Sequence, residues 1–268
     1  MDLQTDSPVT VKERLAKEAQ KKSNGHPVNG RNGVNGVHNG MNGSANGIGR
    51  NGRNGHTHTA YQSLKVSEYR SKRFLDLFVG SFAMLIFLLI TPFIALGIKL
   101  SSRGPVFFRQ KRTGKNGVTF TCYKFRTMKM DSKKHDYEAG IPDITTRGDE
   151  RIFAFGSFLR FLNLDELPQI INVFRGDMSL VGPRPYPVDE CSYWNSMFDN
   201  FYCRYAVRPG ITGFAQVKGY RGGTLDVELM RKRTDYDLIY VQKNSLFFDI
   251  KTIGMTVTQM ANLETNGY

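Results

Sequence analysis

Two adjacent acidic residues, Asp165 and Glu166, stand in a sequence context that suits phosphate chemistry. They precede Pro168, and proline is tolerated in the first helical turn because the backbone N–H groups there have no intrahelical partner. We therefore predict a helix over Glu166–Phe174 that begins close to the pair. A structural role is the alternative, because acidic residues favour helix N-termini and Asn163 with Glu166 has capping-box spacing.

Arginines lie on both sides of this pair in the sequence. Arg160 precedes it, whereas Arg175 and Arg184 follow it. Arg184 belongs to the rigid turn Gly182–Pro185, and a guanidinium can bind phosphate through two parallel hydrogen bonds. Carboxylates among arginines suit a metal-assisted phosphate site, and a carboxylate can also act as a nucleophile. Taken singly, each arginine is better explained as a solvated or salt-bridged surface charge.

The composition narrows the chemistry further. A formal net charge of +13 in 268 residues favours anionic partners, which include nucleic acid, membrane surfaces and phosphorylated substrates. Only His135 lies outside the first 60 residues, which argues against a histidine triad or a multi-histidine metal site. The three cysteines lack CxxC spacing and suggest neither a zinc site nor a disulfide framework.

Two contrasting segments precede the body that carries these residues. Residues 1–60 contain the dipeptide Asn-Gly nine times, so we expect a disordered leader that serves as a solvated tether. Leu77–Ile98 is uncharged and would measure roughly 33 Å as a straight helix, enough to cross a bilayer. Both flanks are basic, and Pro92 should kink the helix, with the Thr91 hydroxyl available to a freed carbonyl. A re-entrant helix bent near Pro92 and an ordinary kinked span are both open on these grounds.

The remaining chain has the character of a soluble domain. Val106–Lys111 and Val118–Phe125 flank Gly114–Gly117, whose Asn-Gly predicts a β-hairpin. Three further segments have helical spacing: Arg151–Phe161, Val227–Gln242 and Leu246–Met260. The last is apolar on one face, which suits either a membrane surface or core packing. We predict an α+β fold, with a membrane-embedded helix, a compact and mostly helical domain, a β-hairpin and surface-lying amphipathic helices.

Five sequence blocks resemble the bacterial sugar transferases, or monotopic phosphoglycosyl transferases, in the family's order. The blocks are Gly104–Gln110, Tyr123–Met128, Leu164–Gln169, Gly176–Pro185 and Val207–Gly213. The family's membrane segment is a re-entrant helix broken at a Ser-Pro pair, for which Thr91-Pro92 stands here, so the resemblance favours the re-entrant alternative. With the composition, it divides the chain into a leader (1–60), a membrane re-entrant helix (68–103) and a cytoplasmic catalytic domain (104–262).

The resemblance implies a reaction in which a UDP-sugar and polyprenol phosphate give a polyprenyl-diphospho-sugar and UMP. If the family's roles apply to this sequence, Asp165 is the nucleophile that forms a covalent phosphosugar intermediate and is also a Mg²⁺ ligand. Glu166 then supports the metal or a proton transfer. Arg160 and Arg184 match family positions that bind phosphate. Further candidate substrate-binding residues are Lys124, Arg126, Arg208 and Arg221.

The donor sugar is suggested by Gly219–Thr224, which resembles the Gly-Tyr/Trp-Arg-Gly-Glu-Thr run of family members that act on hexoses. Gly223 departs from this run, because it replaces the usual Glu. A hexose such as glucose or galactose is therefore the expected donor sugar, with an N-acetylhexosamine as the alternative.

Two other classes of protein compete with the enzyme. A non-catalytic membrane scaffold has no need of the intact Asp-Glu pair, and the absence of a nucleic-acid motif opposes a nucleic-acid binder. The expected partners are polyprenol phosphate, a UDP-sugar and the membrane, while homo-oligomerisation stays open. The expected location is the bacterial inner membrane with the catalytic domain on the cytoplasmic face, at the first membrane step of exopolysaccharide or capsule assembly.

Overall fold

The computed structural model describes residues 66, 68–130, 142–145 and 148–262, and the predicted leader over residues 1–60 lies outside them. The helices are α1 (Lys72–Ser101), α2 (Ala154–Phe161), α3 (Gln169–Arg175), α4 (Val188–Met197), α5 (Phe214–Val217), α6 (Val227–Lys243) and α7 (Leu246–Ala261). The strands are β1 (Phe107–Thr113), β2 (Thr119–Phe125), β3 (Ser179–Val181) and β4 (Gly210–Thr212). The predicted mixture of helices and strands behind one long apolar helix is confirmed.

Helix α1 combines length with an apolar, outward-facing surface. It has 30 residues, and its most apolar stretch has a mean hydropathy of 2.5 with 17% of that stretch buried. By length and composition it could cross a membrane, and no other helix in the described part of the chain meets that criterion. Its exposed large side chains are Phe74, Phe78, Phe82, Leu85, Ile86, Leu88, Leu89, Phe93, Leu96 and Leu100.

The bend predicted near Pro92 does not interrupt this helix. α1 is a single helical element on both sides of the proline. The Thr91 hydroxyl donates a hydrogen bond of 2.5 Å to the carbonyl of Phe87, rather than to the Leu88 carbonyl that the proline leaves free. Phe87 and Ile94 are both buried against the rest of the protein, which holds the helix on either side of Pro92.

One face of α1 packs against the domain along the whole helix. In order along the helix, the contacts include Lys72 Nζ to Asp249 at 2.6 Å, Phe87 to the Phe125 ring at 6.0 Å between centroids, and Ser102 O to Arg126 Nη2 at 2.7 Å. Both ends of α1 are therefore fixed to the same body of protein.

The predicted hairpin is confirmed as the antiparallel pair β1–β2. Phe107 pairs with Phe125 and Thr113 with Thr119, so the turn lies between Thr113 and Thr119. Asn116 has a φ of 60° and Gly117 a φ of 72°. Asn and Gly tolerate this left-handed region best, which explains why the dipeptide predicted the turn.

The predicted helix over Glu166–Phe174 begins later than expected. Leu164–Glu166 forms one turn of 3₁₀ helix, and α3 starts only at Gln169. Asn163, at a φ of 57°, precedes the 3₁₀ turn and makes no side-chain cap. The prediction of an α-helix that begins at Glu166 is therefore wrong. The structural alternative, a capping box at Asn163, is not formed either, because Asn163 makes no side-chain cap to the turn that follows it.

A second, parallel strand pair supports the chain that follows. β3 pairs with β4, with Ser179 opposite Gly210 and Val181 opposite Thr212. A Cβ atom on Gly210 would lie 2.1 Å from the backbone nitrogen of Gly182, so only glycine permits this approach. The pairing brings the Gly-Pro segment that carries Arg184 beside the segment after Arg208.

Candidate active site

Glu166 is the most tightly held residue of the acidic pair. Lys124 Nζ, from β2, donates to its Oε1 at 2.6 Å. Arg184 forms a two-pronged contact, with Nη2 at 2.7 Å from Oε1 and Nη1 at 3.1 Å from Oε2. Burial alone would raise the pKa of Glu166, but the charges and hydrogen bonds of Arg184 and Lys124 hold that pKa well below its usual range. Glu166 is therefore an ionised carboxylate with both oxygens engaged.

Asp165 differs in this respect although it is the next residue. It is also buried, with 8% of its surface exposed, yet no described residue donates a hydrogen bond to its carboxylate. Burial raises its pKa and the adjacent Glu166 adds to the rise, while the charges of Lys124, Arg160 and Arg184 oppose it. Asp165 thus offers an unpaired carboxylate within a field of cations.

Arg160 reaches this cluster from the last turn of α2. Its Nε donates to the Thr127 hydroxyl at 2.9 Å, which fixes the guanidinium, and its charge lowers the pKa of Asp165. The other guanidinium nitrogens have no hydrogen-bond partner among the described residues. Arg160 can therefore offer two N–H groups to an anion without losing its anchor.

Arg221 also belongs to this electrostatic cluster. Burial and the charge of Arg184 lower the pKa of Arg221, whereas the charges of Glu166 and Asp165 raise it. Its guanidinium has no hydrogen-bond partner among the described residues. The structure thus brings together five of the predicted substrate-binding and catalytic side chains around Asp165, namely Glu166, Lys124, Arg160, Arg184 and Arg221.

Two predicted substrate-binding residues hold the fold elsewhere. Arg126 donates through Nε and Nη2 to the carbonyls of Pro105 and Ser102 at 2.6 and 2.7 Å, so it ties the end of α1 to the hairpin. Burial lowers its pKa with no contribution from a neighbouring charge. The structure does not support a role for Arg126 in binding substrate, because its donors already close this turn.

Arg208 is likewise engaged in the scaffold. Its Nη1 lies 2.6 Å from a carboxylate oxygen of Glu68, and its Nε donates to the carbonyl of Gly176 at 3.1 Å. It therefore joins the segment before α1 to the two chain segments that flank β3 and β4. The prediction of a substrate-binding Arg208 finds no support in these contacts.

Asn172 is a residue of this site that sequence reasoning missed. It is completely buried, and its side-chain amide accepts from the Tyr123 backbone N–H at 3.2 Å and donates to the Thr121 carbonyl at 2.7 Å. These groups lie on the edge of β2 that β1 leaves unpaired. Asn172 thereby fixes the strand that carries Lys124 against the helix that follows Glu166, and an asparagine inside an apolar helix was the available signal.

Arg112 and Arg233 were also missed, although both are buried next to this region. Arg112 Nη1 donates to the Pro185 carbonyl at 2.6 Å. Arg233 donates to the Tyr186 hydroxyl at 2.9 Å and to the Arg221 carbonyl at 3.0 Å. They support the loops of Arg184 and Arg221 from behind, and no local sequence signal distinguishes them from surface arginines.

A long apolar helix, a two-stranded hairpin and an Asp-Glu pair held among lysine and arginine side chains are the features expected of a membrane-associated domain that handles phosphate groups. The sequence profile of the bacterial sugar transferase family matches residues 67–262. This match covers more than half of the chain, and the chain belongs to the bacterial sugar transferase family. The resemblance inferred from the five sequence blocks is confirmed.

Several relatives carry the name UDP-glucose:undecaprenyl-phosphate glucose-1-phosphate transferase. The protein from Xanthomonas campestris pv. campestris is 45% identical over 64% of this chain and 35% of its own length. The Caulobacter vibrioides protein is 44% identical over 74% of this chain and 72% of its own length. The Escherichia coli K12 protein is 46% identical over 65% of this chain and 37% of its own length. The match thus spans little more than a third of two of these relatives.

Proposed function

We propose that this protein transfers a sugar-1-phosphate from a UDP-sugar to polyprenol phosphate, which gives a polyprenyl-diphospho-sugar and UMP. The observation that carries the proposal is the contrast within the acidic pair, where Glu166 is fully engaged and the buried Asp165 carboxylate is unpaired. A buried, unpaired carboxylate among cations costs stability and suits a nucleophile. Family membership and the names of the relatives support the same reaction.

In the proposed mechanism, an oxygen of Asp165 attacks the phosphorus next to the sugar, and the bond to the UMP oxygen breaks. The product of this step is a phosphosugar-aspartate, and UMP leaves. An oxygen of the lipid phosphate then attacks the same phosphorus and releases the Asp165 carboxylate. The unbonded guanidinium edges of Arg160 and Arg221 can stabilise the charge that develops on the phosphoryl oxygens.

Glu166 has a supporting role in this proposal. It holds two cations, Lys124 and Arg184, at 2.6 and 2.7 Å from its own Oε1, and the charges of both lower the pKa of the adjacent Asp165. Pre-positioned cations stabilise transition-state charge without reorganisation. Glu166 therefore positions Lys124 and Arg184, rather than taking part in a proton transfer.

Mg²⁺ is the metal expected for this chemistry. Within the described residues no group of three acidic, histidine or cysteine side chains is arranged around a common metal position. Mg²⁺ commonly uses one or two carboxylates together with substrate phosphates and water, and the unpaired Asp165 fits that pattern. Glu166 does not fit a direct ligand in this geometry, since Lys124 and Arg184 engage both of its oxygens. Bound with the diphosphate, Mg²⁺ would neutralise phosphate charge.

We infer that α1 enters the membrane from one side and does not cross it. Its first turn, middle and end all contact the same domain, and that domain carries charged residues throughout. A helix that crossed the bilayer could not keep both ends on one polar body without drawing charges into the hydrocarbon. The proposal therefore keeps the predicted membrane segment (68–103) and catalytic domain (104–262), with the domain on the cytoplasmic face of the inner membrane.

Helix α7 supports this placement because the residues that it buries are polar and many of those that it exposes are apolar. Its buried residues are the polar Asp249 and Thr252. Its exposed apolar residues are Leu246, Phe247, Ile250, Val257 and Met260. A helix that buries polar residues and exposes apolar ones suits a membrane surface rather than water.

The reaction is tested by UMP release from purified protein with polyprenol phosphate and a panel of UDP-sugars. We expect UDP-glucose or UDP-galactose to release UMP faster than the N-acetylated donors. With donor alone, mass spectrometry should find a sugar-phosphate adduct on the peptide that contains Asp165. Faster release from UDP-N-acetylglucosamine would overturn the donor assignment, and no release from any donor would overturn the reaction.

The topology is tested by labelling single cysteines at Ser71 and Arg103, which are exposed at the two ends of α1. Cys122 and Cys191 are buried, so only the partly exposed Cys203 needs replacement. We expect both positions to react with an impermeant reagent from the same side of the membrane. Reaction from opposite sides would refute the re-entrant arrangement.

A further inference from the structure

Ile144 is a buried apolar residue to which the proposed mechanism gives no role. It has 6% of its surface exposed, yet it belongs to neither of the two apolar clusters that form the core of the described chain. Its side chain lies instead against Gly223, because a Cβ atom at Gly223 would be 2.2 Å from Ile144 Cγ2. Ile144 thus packs against the Arg221 loop (Gly219–Thr224).

This contact leaves no room for a side chain at Gly223. Carbon atoms that are not bonded to each other pack at about 3.5–4.0 Å, so a methyl group at Gly223 and Cγ2 of Ile144 cannot both keep their positions. Cγ2 is bonded directly to Cβ, and the χ1 angle of a β-branched side chain is restricted, so Cγ2 cannot swing away freely. The Cβ atom of Ile144 lies 3.5 Å from the same point, which is an ordinary contact. The steric conflict therefore involves mainly one methyl group of Ile144.

The residue before Ile144 fastens its backbone to the start of α2. Asp143 accepts from Arg151 Nη1 at 2.7 Å. The Nε and Nη2 atoms of the same guanidinium hold Asp149 at 2.9 and 2.6 Å. Arg151 lies just before α2, the helix whose last turn carries Arg160. Ile144 is therefore one residue away from an ion pair that connects it with the helix of Arg160.

A second attachment joins the Arg221 loop to the segment that carries Arg184. Arg233 donates to the carbonyl of Arg221 at 3.0 Å and to the hydroxyl of Tyr186 at 2.9 Å. Tyr186 follows closely after Arg184, whose guanidinium holds Glu166 at 2.7 Å. The loop is thus attached on one side to the segment that contacts the acidic pair, and on another to the segment before α2.

We propose that Ile144 is a positioning residue, which sets the Arg221 loop through its contact with Gly223 and so holds the Arg221 guanidinium where it meets the donor phosphates. This inference rests on the proposed function. Ile144 itself does not touch the donor, so its effect on the reaction passes through Arg221. A charge that is placed in advance for the transition state loses its benefit when it is displaced, and a misplacement of about 1 Å can cost about 100-fold in rate.

The contact is tested by Gly223→Ala and Ile144→Ala, alone and combined. Gly223→Ala should lower the kcat of UMP release about 10-fold to 100-fold, because its methyl group and Cγ2 displace each other. The double variant should recover most of this loss, since it removes Cγ2 and the added methyl group fills part of the vacated space. Gly254→Ala is the matched control and should leave kcat unchanged, because a Cβ atom there meets nothing within 4 Å outside the backbone of its own helix. An unchanged kcat in Gly223→Ala, or no recovery in the double variant, would overturn the proposal.

The variant Arg221→Gln shows whether the effect passes through the guanidinium. If Ile144 acts by placing that group, Gly223→Ala should cause no further loss of kcat in a protein that already carries Arg221→Gln, because residues that act through one another are not additive. General damage to the fold would lower kcat by the same factor in both backgrounds. Equal losses in the two backgrounds would therefore overturn the proposal.

Thermal unfolding in detergent identifies any variant that does not fold. If Gly223→Ala does not fold, Ile144→Ala takes its place in the comparison with Arg221→Gln, and a wild-type kcat in Ile144→Ala would overturn the proposal. If Arg221→Gln releases no measurable UMP, recovery in the double variant decides the question. Wild-type UMP release is measured first. Its absence would refute the proposed function, whereas wild-type release together with one of the contradicting results would refute only the role of Ile144.

Discussion

Two buried ionic clusters, one at the start of α1 and one around Asp165, use similar residues in opposite ways. In the α1 cluster, Asp249 accepts from Lys72 and Tyr69 at 2.6 Å each and from Tyr240 at 2.7 Å. Lys72 has two further acceptors at 3.0 Å, the Val181 carbonyl and the Tyr240 hydroxyl. The opposite charges Lys72 and Asp249 are thus paired with each other, whereas Asp165 has no hydrogen-bond partner among the described residues.

This difference in hydrogen bonding suggests different roles for the two clusters, one in holding the fold together and one in the proposed chemistry. A fully paired buried network has one preferred geometry and becomes strongly unfavourable when a member is lost. An unpaired buried carboxylate is already unfavourable, so its removal costs the fold little. The α1 cluster holds the apolar helix α1 to the domain just before the Arg184 loop, and the Asp165 cluster leaves one carboxylate without a hydrogen-bond partner among the described residues.

The largest effect is expected from Asp165→Asn. It should lower UMP release by about 1,000-fold or more, because it removes the proposed nucleophile. Since burial already disfavours the charged form of Asp165, the variant should unfold at the wild-type temperature or above it. Glu166→Gln should lose most activity and also stability, because it leaves Lys124 and Arg184 without their counter-charge.

Thermal unfolding in detergent and UMP release measure both properties of each variant. An Asp165→Asn protein that is destabilised as much as Glu166→Gln would show that the two carboxylates do not differ as described. An Asp165→Asn protein that turns over near the wild-type rate would refute covalent catalysis.

Lys72→Met should give the next largest effect, this time on stability. Loss of one partner of a buried ion pair costs about 3–5 kcal/mol, and Asp249 would retain a buried charge with only tyrosine donors. Lys99→Met is the matched control, because Lys99 is exposed in the last turn of the same helix and should change stability by about 0.5 kcal/mol or less. Equal unfolding temperatures for the two variants would contradict the anchoring role of the α1 cluster.

The pH dependence of the reaction should report Asp165. Burial raises its pKa above the ordinary 3.8, so UMP release should rise with pH through that raised pKa as the carboxylate becomes ionised. Glu166 and Asp165 affect the pH dependence of stability in opposite ways. The lowered pKa of Glu166 stabilises the folded protein above the ordinary pKa of glutamate, and this contribution is lost as pH falls through the lowered pKa. The raised pKa of Asp165 favours folding at low pH and loses that contribution as pH rises.

The variant Arg160→Gln tests whether Asp165 controls the pH dependence of UMP release. The charge of Arg160 lowers the pKa of Asp165, so its removal should move the acid limb of kcat/KM to higher pH whatever the loss in rate. Asp165 does not control the pH profile of kcat/KM if the acid limb of that profile lies at the ordinary pKa of aspartate, or if Arg160→Gln does not shift it.

Local sequence patterns predicted what depends on neighbouring residues. The Asn-Gly turn of the hairpin and the two long C-terminal helices followed from such patterns, as did the grouping of Asp165 with nearby arginines. The start of α3 was predicted too early, because a 3₁₀ turn over Leu164–Glu166 precedes the α-helix, which begins only at Gln169. Arg126 lies in the same sequence block as Lys124 and Arg208 lies in the Val207–Gly213 block, yet their contacts reach 21 and 140 residues along the chain. Such distant pairings, like the parallel β3–β4 contact, have no local signature.

The smallest effect is expected from Asp177→Asn, on the far side of Asn172. Asp177 accepts from the Asn172 amide at 3.1 Å and lies 3.4 Å from the mostly exposed Arg175, so its removal should cost about 1 kcal/mol or less. UMP release should stay within about twofold of wild type, because Asn172 retains its two bonds to β2. Asn172→Ala should instead cost about 1–3 kcal/mol and lower UMP release more strongly, since the edge of the strand that carries Lys124 loses both partners. If Asp177→Asn lowers UMP release as much as Asn172→Ala, then Asp177 belongs to the proposed active site and is not only a supporting residue.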